Sequence, residues 1–480
     1  MISPGIAKKI NIFCLLAAVA AVLILPLRKE IWYDETVSML CSKGINHDSP
    51  ALMGNTTTMN SATLEQMNTL GNVYKATVLD NANSFVYNMK LHYFTMLFGN
   101  SIAVYMLFSK LCAIVTLLAF FALCRLVFKD SIFTAVAIVL LAADLNFIGM
   151  SHEIRAYELG ACFVTLAAVF FYKFMYEEEK PFYLFLLGLF SVGAVLSHFL
   201  SLYVILVFLG YLVVNKKTKL LKGKNIIAML IPVALVAVYL GWAFVGLKYM
   251  SHQNERFQER AASLPFSVAH VLFRSMAMGA IDFKAVFPAF GEKKMAVIFS
   301  FLLLAGLYIG AVRSAEKKEE KRHLNLFLSL GISGTVFLAL LCLKSGHYTA
   351  LYNRYHSFCI PFACLFTAYA IYLVCKSARV HVFLKGATIA VIVLPACALF
   401  FVAERKINTT VNYNHIAVAK EIVRDNVSKV EIPTWDDAFL IQSVLPAGYK
   451  IDYVLSPASP YFTLYKAGTA EKVPLVRKNS

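Results

Sequence analysis

Ile10–Leu27, INIFCLLAAVAAVLILPL, is an apolar run that leads within a few residues into Ile31-Trp32-Tyr33-Asp34-Glu35. A run of that length crosses hydrocarbon as a helix, for which about 17 to 25 apolar residues suffice. Two adjacent carboxylates then stand where the chain leaves the membrane. Carboxylates are expensive at membrane depth and mark function there more often than folding. The plainer reading is that Asp34 and Glu35 only solvate a helix end. No small-residue cleavage site follows Lys8, Lys9 and the run, so the sequence predicts an uncleaved first span.

Working outward, the same pattern repeats. The chain has 480 residues, 59% of them hydrophobic, and a mean hydropathy of +0.66, well above the roughly half-apolar content of soluble domains. This is the composition of a polytopic α-helical membrane protein. The net charge of +17 does not call for nucleic acid, because Lys and Arg concentrate in short loops between apolar runs, as positive-inside topology requires. The cysteines fall within or beside apolar runs and show neither a disulfide framework nor a metal knuckle.

Placing Lys8 and Lys9 in the cytoplasm fixes the rest. About eleven spans are expected: 10–27, 102–123, 131–148, 157–172, 182–196, 200–214, 226–247, 295–312, 324–343, 357–375 and 386–403. The transmembrane domain is thus 1–403, with a large first external loop over 28–102. Helically spaced Val37, Leu40 and Cys41, and later Leu64, Met67 and Leu70, predict short interfacial helices lying on the membrane within that loop. Each later basic cluster then falls inside, including Arg125 and Lys129, the lysines of 215–224, those of 313–323, and Lys376, Arg379 and Lys385.

From Glu404 the composition changes to that of a small soluble unit, 404–480. It is expected to be extracytoplasmic and α/β, with a helix over 413–424, strands over 430–433, 450–455 and 461–465, and Asp436-Asp437 capping a second helix.

The outer face collects Asp34 and Glu35, then His152, Glu153 and Arg155, then His198, and finally His347 to His356 with Arg354 and Tyr355. A carboxylate can take the proton of an attacking hydroxyl, worth about 10² to 10⁴ in rate. Cations or a divalent metal can stabilise a departing phosphate. Plainer readings stand beside these: a helix-start ion pair for Glu153 and Arg155, an interfacial residue for His198, and a membrane-surface anchor for Arg354 and Tyr355.

Trp32-Tyr33-Asp34-Glu35 after the first span resembles the signature of the GT-C membrane glycosyltransferases, in particular the protein O-mannosyltransferases and the lipid A aminoarabinose transferases. Leu91-His92 with Leu97-Phe98-Gly99-Asn100-Ser101, Glu153-Ile154-Arg155-Ala156-Tyr157, Leu196-Ser197-His198, and Asn353-Arg354-Tyr355 with Pro361 resemble further family stretches in the same order. Asn83-Ser84-Phe85-Val86 stands where the family has His-Pro-Pro-Leu, and Tyr105-Met106 where an Arg is common. The resemblance implies an inverting transfer from a polyprenyl-phosphate sugar to a hydroxyl of a glycan, lipid or protein acceptor on the non-cytoplasmic face. It implies Asp34 as the catalytic carboxylate, assisted by Glu35 and Glu153. Arg155, Arg354 and Tyr355 would bind the donor phosphate, and His152, Glu153 and His198 would hold a metal such as Mg, Mn or Zn, if one is used. The competing class is a transporter or flippase of envelope glycoconjugates. Its usual repeated halves and mid-membrane charges are not visible in the sequence.

Overall fold

The computed structural model describes residues 3–24, 33–45, 58–60, 68–80, 83–237, 293–345, 353–377 and 415–474, with short gaps inside the fifth and last of these ranges. The first apolar run forms α1 (Pro4–Ile24). It starts earlier than expected because the Ser3 hydroxyl accepts from the Ile6 N–H at 3.4 Å and Pro4 is pre-set for a first helical turn. Asn11 is buried, and its amide bridges α1 to the next hairpin: Nδ2 donates to the Ser131 carbonyl at 3.1 Å, and Oδ1 accepts from Ala135 N–H at 3.0 Å.

The segment between the first apolar helix and residue 102 carries α2 (Tyr33–Ser42), α3 (Leu70–Leu79) and α4 (Phe85–Phe98). The prediction of helices lying on the membrane surface needs correction. Val37, Leu40 and Cys41 of α2 are buried, because α2 packs onto α3 and α4 rather than onto lipid; Cys41 Sγ reaches the Ala76 carbonyl at 3.8 Å. Leu64 and Met67 lie outside the described residues. The exposed apolar side chains of this region are instead on α4, at Met96, Leu97 and Phe98.

Next come α5 (Ile102–Phe128), α6 (Phe133–Ala142), α7 (Leu145–Ser151) and α8 (Ala156–Tyr172). The third expected span breaks into α6 and α7 because Asp144 interrupts the apolar run. Its Oδ1 accepts from Asn146 N–H and Phe147 N–H, both at 2.9 Å, and caps α7. A π-helical turn, Lys173–Glu177, ends α8, followed by α9 (Pro181–Ser197) and α10 (Leu202–Leu220). Beyond a described helical stretch at 223–230, span seven lies mostly outside the described residues, as does all of span eleven. The remaining bundle helices are α11 (Lys293–Ser314), α12 (Lys318–Ser345) and α13 (Ile360–Lys376), the last almost wholly buried.

Among the described residues five helices are long and apolar enough to cross a membrane, α1, α5, α8, α10 and α13, while α6 and α9 are apolar but shorter. The protein is therefore multi-pass. Its basic helix ends meet at one end of the bundle: Lys216 pairs with Glu179 at 2.6 Å, Lys376 with Glu320 at 2.6 Å, and Tyr211 Oη donates to the Arg322 carbonyl at 3.4 Å.

The C-terminal residues form α14 (His415–Arg424) and the strands β2 (Lys429–Ile432), β3 (Asp452–Leu455), β4 (Tyr461–Lys466) and β5 (Thr469–Pro474). Residues 437–438 and 441–442 are helical. A fifth strand, β1 (Thr58–Asn60), comes from the segment between α2 and α3. The sheet order is β1-β3-β2-β4-β5, with β2 and β3 parallel and the other pairs antiparallel. Val418, Ala419 and Ile422 of α14 are buried in one apolar cluster with Val430, Tyr453, Phe462 and Leu464.

Candidate active site

α2 opens with Asp34 and Glu35 in its first turn, where the positive end of the helix dipole favours carboxylates. Glu35 is fully buried. Its Oε1 accepts the Ile154 N–H at 2.7 Å, satisfying a backbone donor at the break between α7 and α8. Asp34 keeps 27% of its side chain exposed and meets two guanidiniums through Oδ2: Arg354 Nη1 at 3.1 Å and Arg155 Nη2 at 3.9 Å. Arg155 is fixed further by its Nη1, which donates to the Asp34 carbonyl at 2.7 Å and to Ser38 Oγ at 3.0 Å. Its Nε is buried with no hydrogen-bond acceptor among the described residues.

Burial by itself would lower the Arg155 pKa, but Tyr157, Asp34 and Asp80 together hold it above the usual arginine value. The guanidinium stays charged. Arg155 and Arg354, distant from each other in sequence, therefore converge on the Asp34 carboxylate. Arg155 and Arg354 each also lie against a ring, 5.7 Å from the Tyr157 centroid and 5.2 Å from the Tyr355 centroid.

Arg354 and Tyr355 lie in a 3-10 turn, Asn353–Cys359, held from several sides. Tyr203 Oη of α10 donates to the Tyr355 carbonyl at 2.8 Å, and Gly334 N–H of α12 donates to Cys359 Sγ at 3.2 Å. Phe358 packs against Gly160 of α8, where a Cβ would come within 2.5 Å of its ring. Gly160 therefore sets how closely the turn, and with it Arg354, approaches Asp34.

His198 caps the end of α9 among aromatic rings, 4.9 Å from Tyr157, 6.3 Å from Tyr355 and 5.4 Å from Phe358, centroid to centroid. Its Nδ1 accepts the Leu200 N–H at 3.3 Å, which assigns the ring proton to Nε2. Burial first, then Arg155 and Arg354, lower its pKa to about 3, so the imidazole is neutral.

The expected metal set is not assembled. Among the described residues no three His, Cys, Asp or Glu side chains are placed to hold an ion. His152 Nδ1 lies 3.0 Å from the Ile148 carbonyl and 2.9 Å from Ser151 Oγ, whereas His198 is spent on the α9 cap and the aromatic wall. Glu153 lies in the turn between α7 and α8, where its carbonyl accepts the Ser109 hydroxyl at 2.5 Å. His347 is outside the described residues.

Sequence reasoning missed Ser38 and Asp80, and named Tyr157 only as part of a motif without a role. Ser38 had a signal, since it lies one helical turn after Asp34 and its hydroxyl also donates to the Asp34 carbonyl at 3.2 Å. Asn83, part of the departure from the family pattern, accepts the Phe199 N–H at 3.3 Å and so ties the loop to the His198 corner. Asn100 accepts a hydrogen bond from the buried Lys43 ammonium, which also donates to Thr95 Oγ1 at 2.8 Å.

With this geometry in hand, residues 83–242 match the family described as dolichyl-phosphate-mannose-protein mannosyltransferase. That stretch is one third of the chain. The matched stretch contains Arg155 and His198 but neither Asp34 nor Arg354. No curated protein matches in sequence. Among solved structures the chain is similar to the archaeal oligosaccharyltransferase AglB of Archaeoglobus fulgidus in complex with an inhibitory peptide and a dolichol-phosphate, at 11% identity and a TM-score of 0.46, covering 94% of this chain and 64% of that one. It is also similar to the Archaeoglobus fulgidus oligosaccharyltransferase tethered to an acceptor peptide, at 11% identity and a TM-score of 0.45, covering 91% and 63%. A third, the same enzyme with Zn and sulfate, has a TM-score of 0.44 at 11% identity and covers 91% and 61%. The chain thus spans less than two thirds of the length of the structures it matches.

Proposed function

We propose that the protein transfers a sugar from a polyprenyl-phosphate donor to an acceptor hydroxyl at the non-cytoplasmic end of the bundle, with inversion at the anomeric carbon. The observation that carries this reading is the meeting of Asp34 with the Arg354 guanidinium at 3.1 Å, beside Arg155. The family description, which names a dolichyl-phosphate-linked mannose donor, supports the donor class. An apolar cleft of about 530 Å³ between α9 and α10, lined by Leu187, Val192, Phe199, Ile205 and Phe208 among others, supports it too, because Phe199 places one wall beside His198.

In the step assigned, the acceptor oxygen attacks the anomeric carbon from the side opposite the phosphate. The carbon–oxygen bond to phosphate breaks, its electron pair stays on the phosphate, and the acceptor proton passes to the Asp34 carboxylate. Arg354 stabilises the developing phosphate charge through its planar fork. Arg155 holds the backbone and carboxylate of Asp34 in place, and Glu35 fixes the adjoining turn. Neutral His198 and Tyr157 wall the site and keep water from the transferring sugar.

The test is Asp34→Asn in liposomes supplied with dolichyl-phosphate mannose and hydroxyl acceptors. Release of free dolichyl phosphate is expected to fall about 10² to 10⁴-fold while donor binding persists. A folded D34N protein that binds donor and releases phosphate at the original rate would overturn the role assigned to Asp34. Movement of donor across the bilayer without bond cleavage would overturn the enzyme reading itself.

A further inference from the structure

At the far end of α8 from Arg155, about 26 Å away by helical rise, a cavity of about 420 Å³ opens among Arg125, Leu126, Lys129, Val169, Lys173 and Glu177. Its size falls within the range of about 300 to 1,000 Å³ typical of small-molecule sites. Three cations face one carboxylate, which favours an anion. The cations come from separate elements. Arg125 lies in the last turn of α5, Lys129 caps that helix, and Lys173 and Glu177 begin and end the π-helical turn. Such turns place residues four apart on nearly one face and recur at functional sites.

Two further observations narrow the ligand. Lys129 has φ +57° and ψ −138°, a conformation in which glycine would be unstrained. The chain nonetheless carries a cation there. On α5, Leu111, Val115 and Leu118 are 41%, 40% and 48% exposed, and their spacing continues through Ala122 to Arg125 and Lys129. That makes one helical stripe, apolar through the bilayer and cationic at its end.

We propose that this cleft binds an anionic glycerophospholipid of the facing leaflet, its phosphate between Arg125, Lys129 and Lys173 and an acyl chain along Leu118, Val115 and Leu111. Basic pockets between transmembrane helices on the cytoplasmic side recognise lipid phosphate in this way. A free phosphate would use the cations but not the stripe. The site is separate from Asp34 and does not depend on the sugar-transfer reading.

The full-length protein in nanodiscs of mixed phosphatidylcholine and phosphatidylglycerol is to be released and weighed by native mass spectrometry. Phosphatidylglycerol is expected to stay bound in preference to phosphatidylcholine. The triple variant Arg125→Gln, Lys129→Gly, Lys173→Gln is expected to lose that retention at least fivefold, with K129G also relieving the backbone. A control removing equal charge elsewhere on the same face, Lys317→Gln, Lys318→Gln, Lys321→Gln, is expected to retain the lipid. Leu118→Asn, which leaves every cation in place, is expected to weaken retention and keeps the test open if the triple variant fails to fold. Equal loss in both triple variants would mean general surface attraction and overturn the site. So would displacement by millimolar glycerol phosphate in water, or unchanged retention in L118N.

Discussion

Arg155 and Arg354 both reach Asp34, but they spend their donors differently. Arg155 gives Nη1 to the Asp34 carbonyl and Ser38, so it anchors the start of α2, whereas Arg354 turns its Nη1 onto the Asp34 carboxylate and lies against the Tyr355 ring. Arg354→Lys, which keeps charge but loses the fork, should therefore raise KM for the donor roughly ten- to hundredfold, the scale of one charged hydrogen bond, with a smaller change in kcat. Arg155→Lys should lower kcat more than it raises KM, because it releases the carboxylate from its position. Steady-state kinetics on both variants separates the two roles, and identical profiles would refute the division. His198 gives a pH prediction. Its pKa is lowered from 6.5 to about 3 in the folded protein, so between those values the unfolded chain binds the extra proton. Stability is complete above about pH 6.5 and declines as pH falls toward 3. The thermal midpoint in detergent should drop between pH 7 and 4.5, less steeply in His198→Asn; equal slopes would show that the imidazole is not the source. The charged members of the site were legible in the sequence because charge beside an apolar run is conspicuous. The roles of Ser38 and Tyr157 were not, because spacing and motif mark only their places, and their contacts with Arg155 exist only once α2 lies beside the start of α8.

At the scale of elements, the site depends on how closely the 353–359 turn lies on α8. Gly160→Ala places a methyl 2.5 Å from the Phe358 ring, and that ring is fully buried with Tyr203 and Gly334 holding the turn from behind. Overpacking of this kind costs about 1 to 3 kcal/mol. G160A should lower the thermal midpoint and cut transfer severalfold by moving Arg354, while the distal variant Gly210→Ala, with open space around its Cβ, should leave both unchanged. If G160A transfers normally, the turn is not the positioning element. Helix identity was largely legible from apolar length, since α5, α8, α9 and α10 fall where hydropathy puts spans. Break points were not. Asp144 stood visible within an apolar run, but its reading as a cap needs the turn that it makes with Asn146 and Phe147. The burial of α2 was equally hidden, because the pattern that suits a helix to a membrane surface suits it also to α3 and α4.

At the scale of the molecule, the segment between α2 and α3 and the C-terminal residues share one sheet. β1 pairs antiparallel with β3, with Asn60 opposite Asp452. The sequence divides the chain near Glu404 and carries no signal for this pairing, since a three-residue strand has too few positions to show an alternation. Asn60→Cys with Asp452→Cys should cross-link under mild oxidation, whereas Asn60→Cys with Lys450→Cys should not; the reverse would place β1 elsewhere. The pairing also sets an order of events during synthesis. Roughly 390 residues separate the two strands, and at about 5 to 20 residues per second the loop beside Asp34 waits some 20 to 80 s for its partner to leave the ribosome. A nascent chain stalled before β3 would have its bundle made and β1 unstitched, so completion of the sheet acts as a receipt that synthesis has passed the last strand.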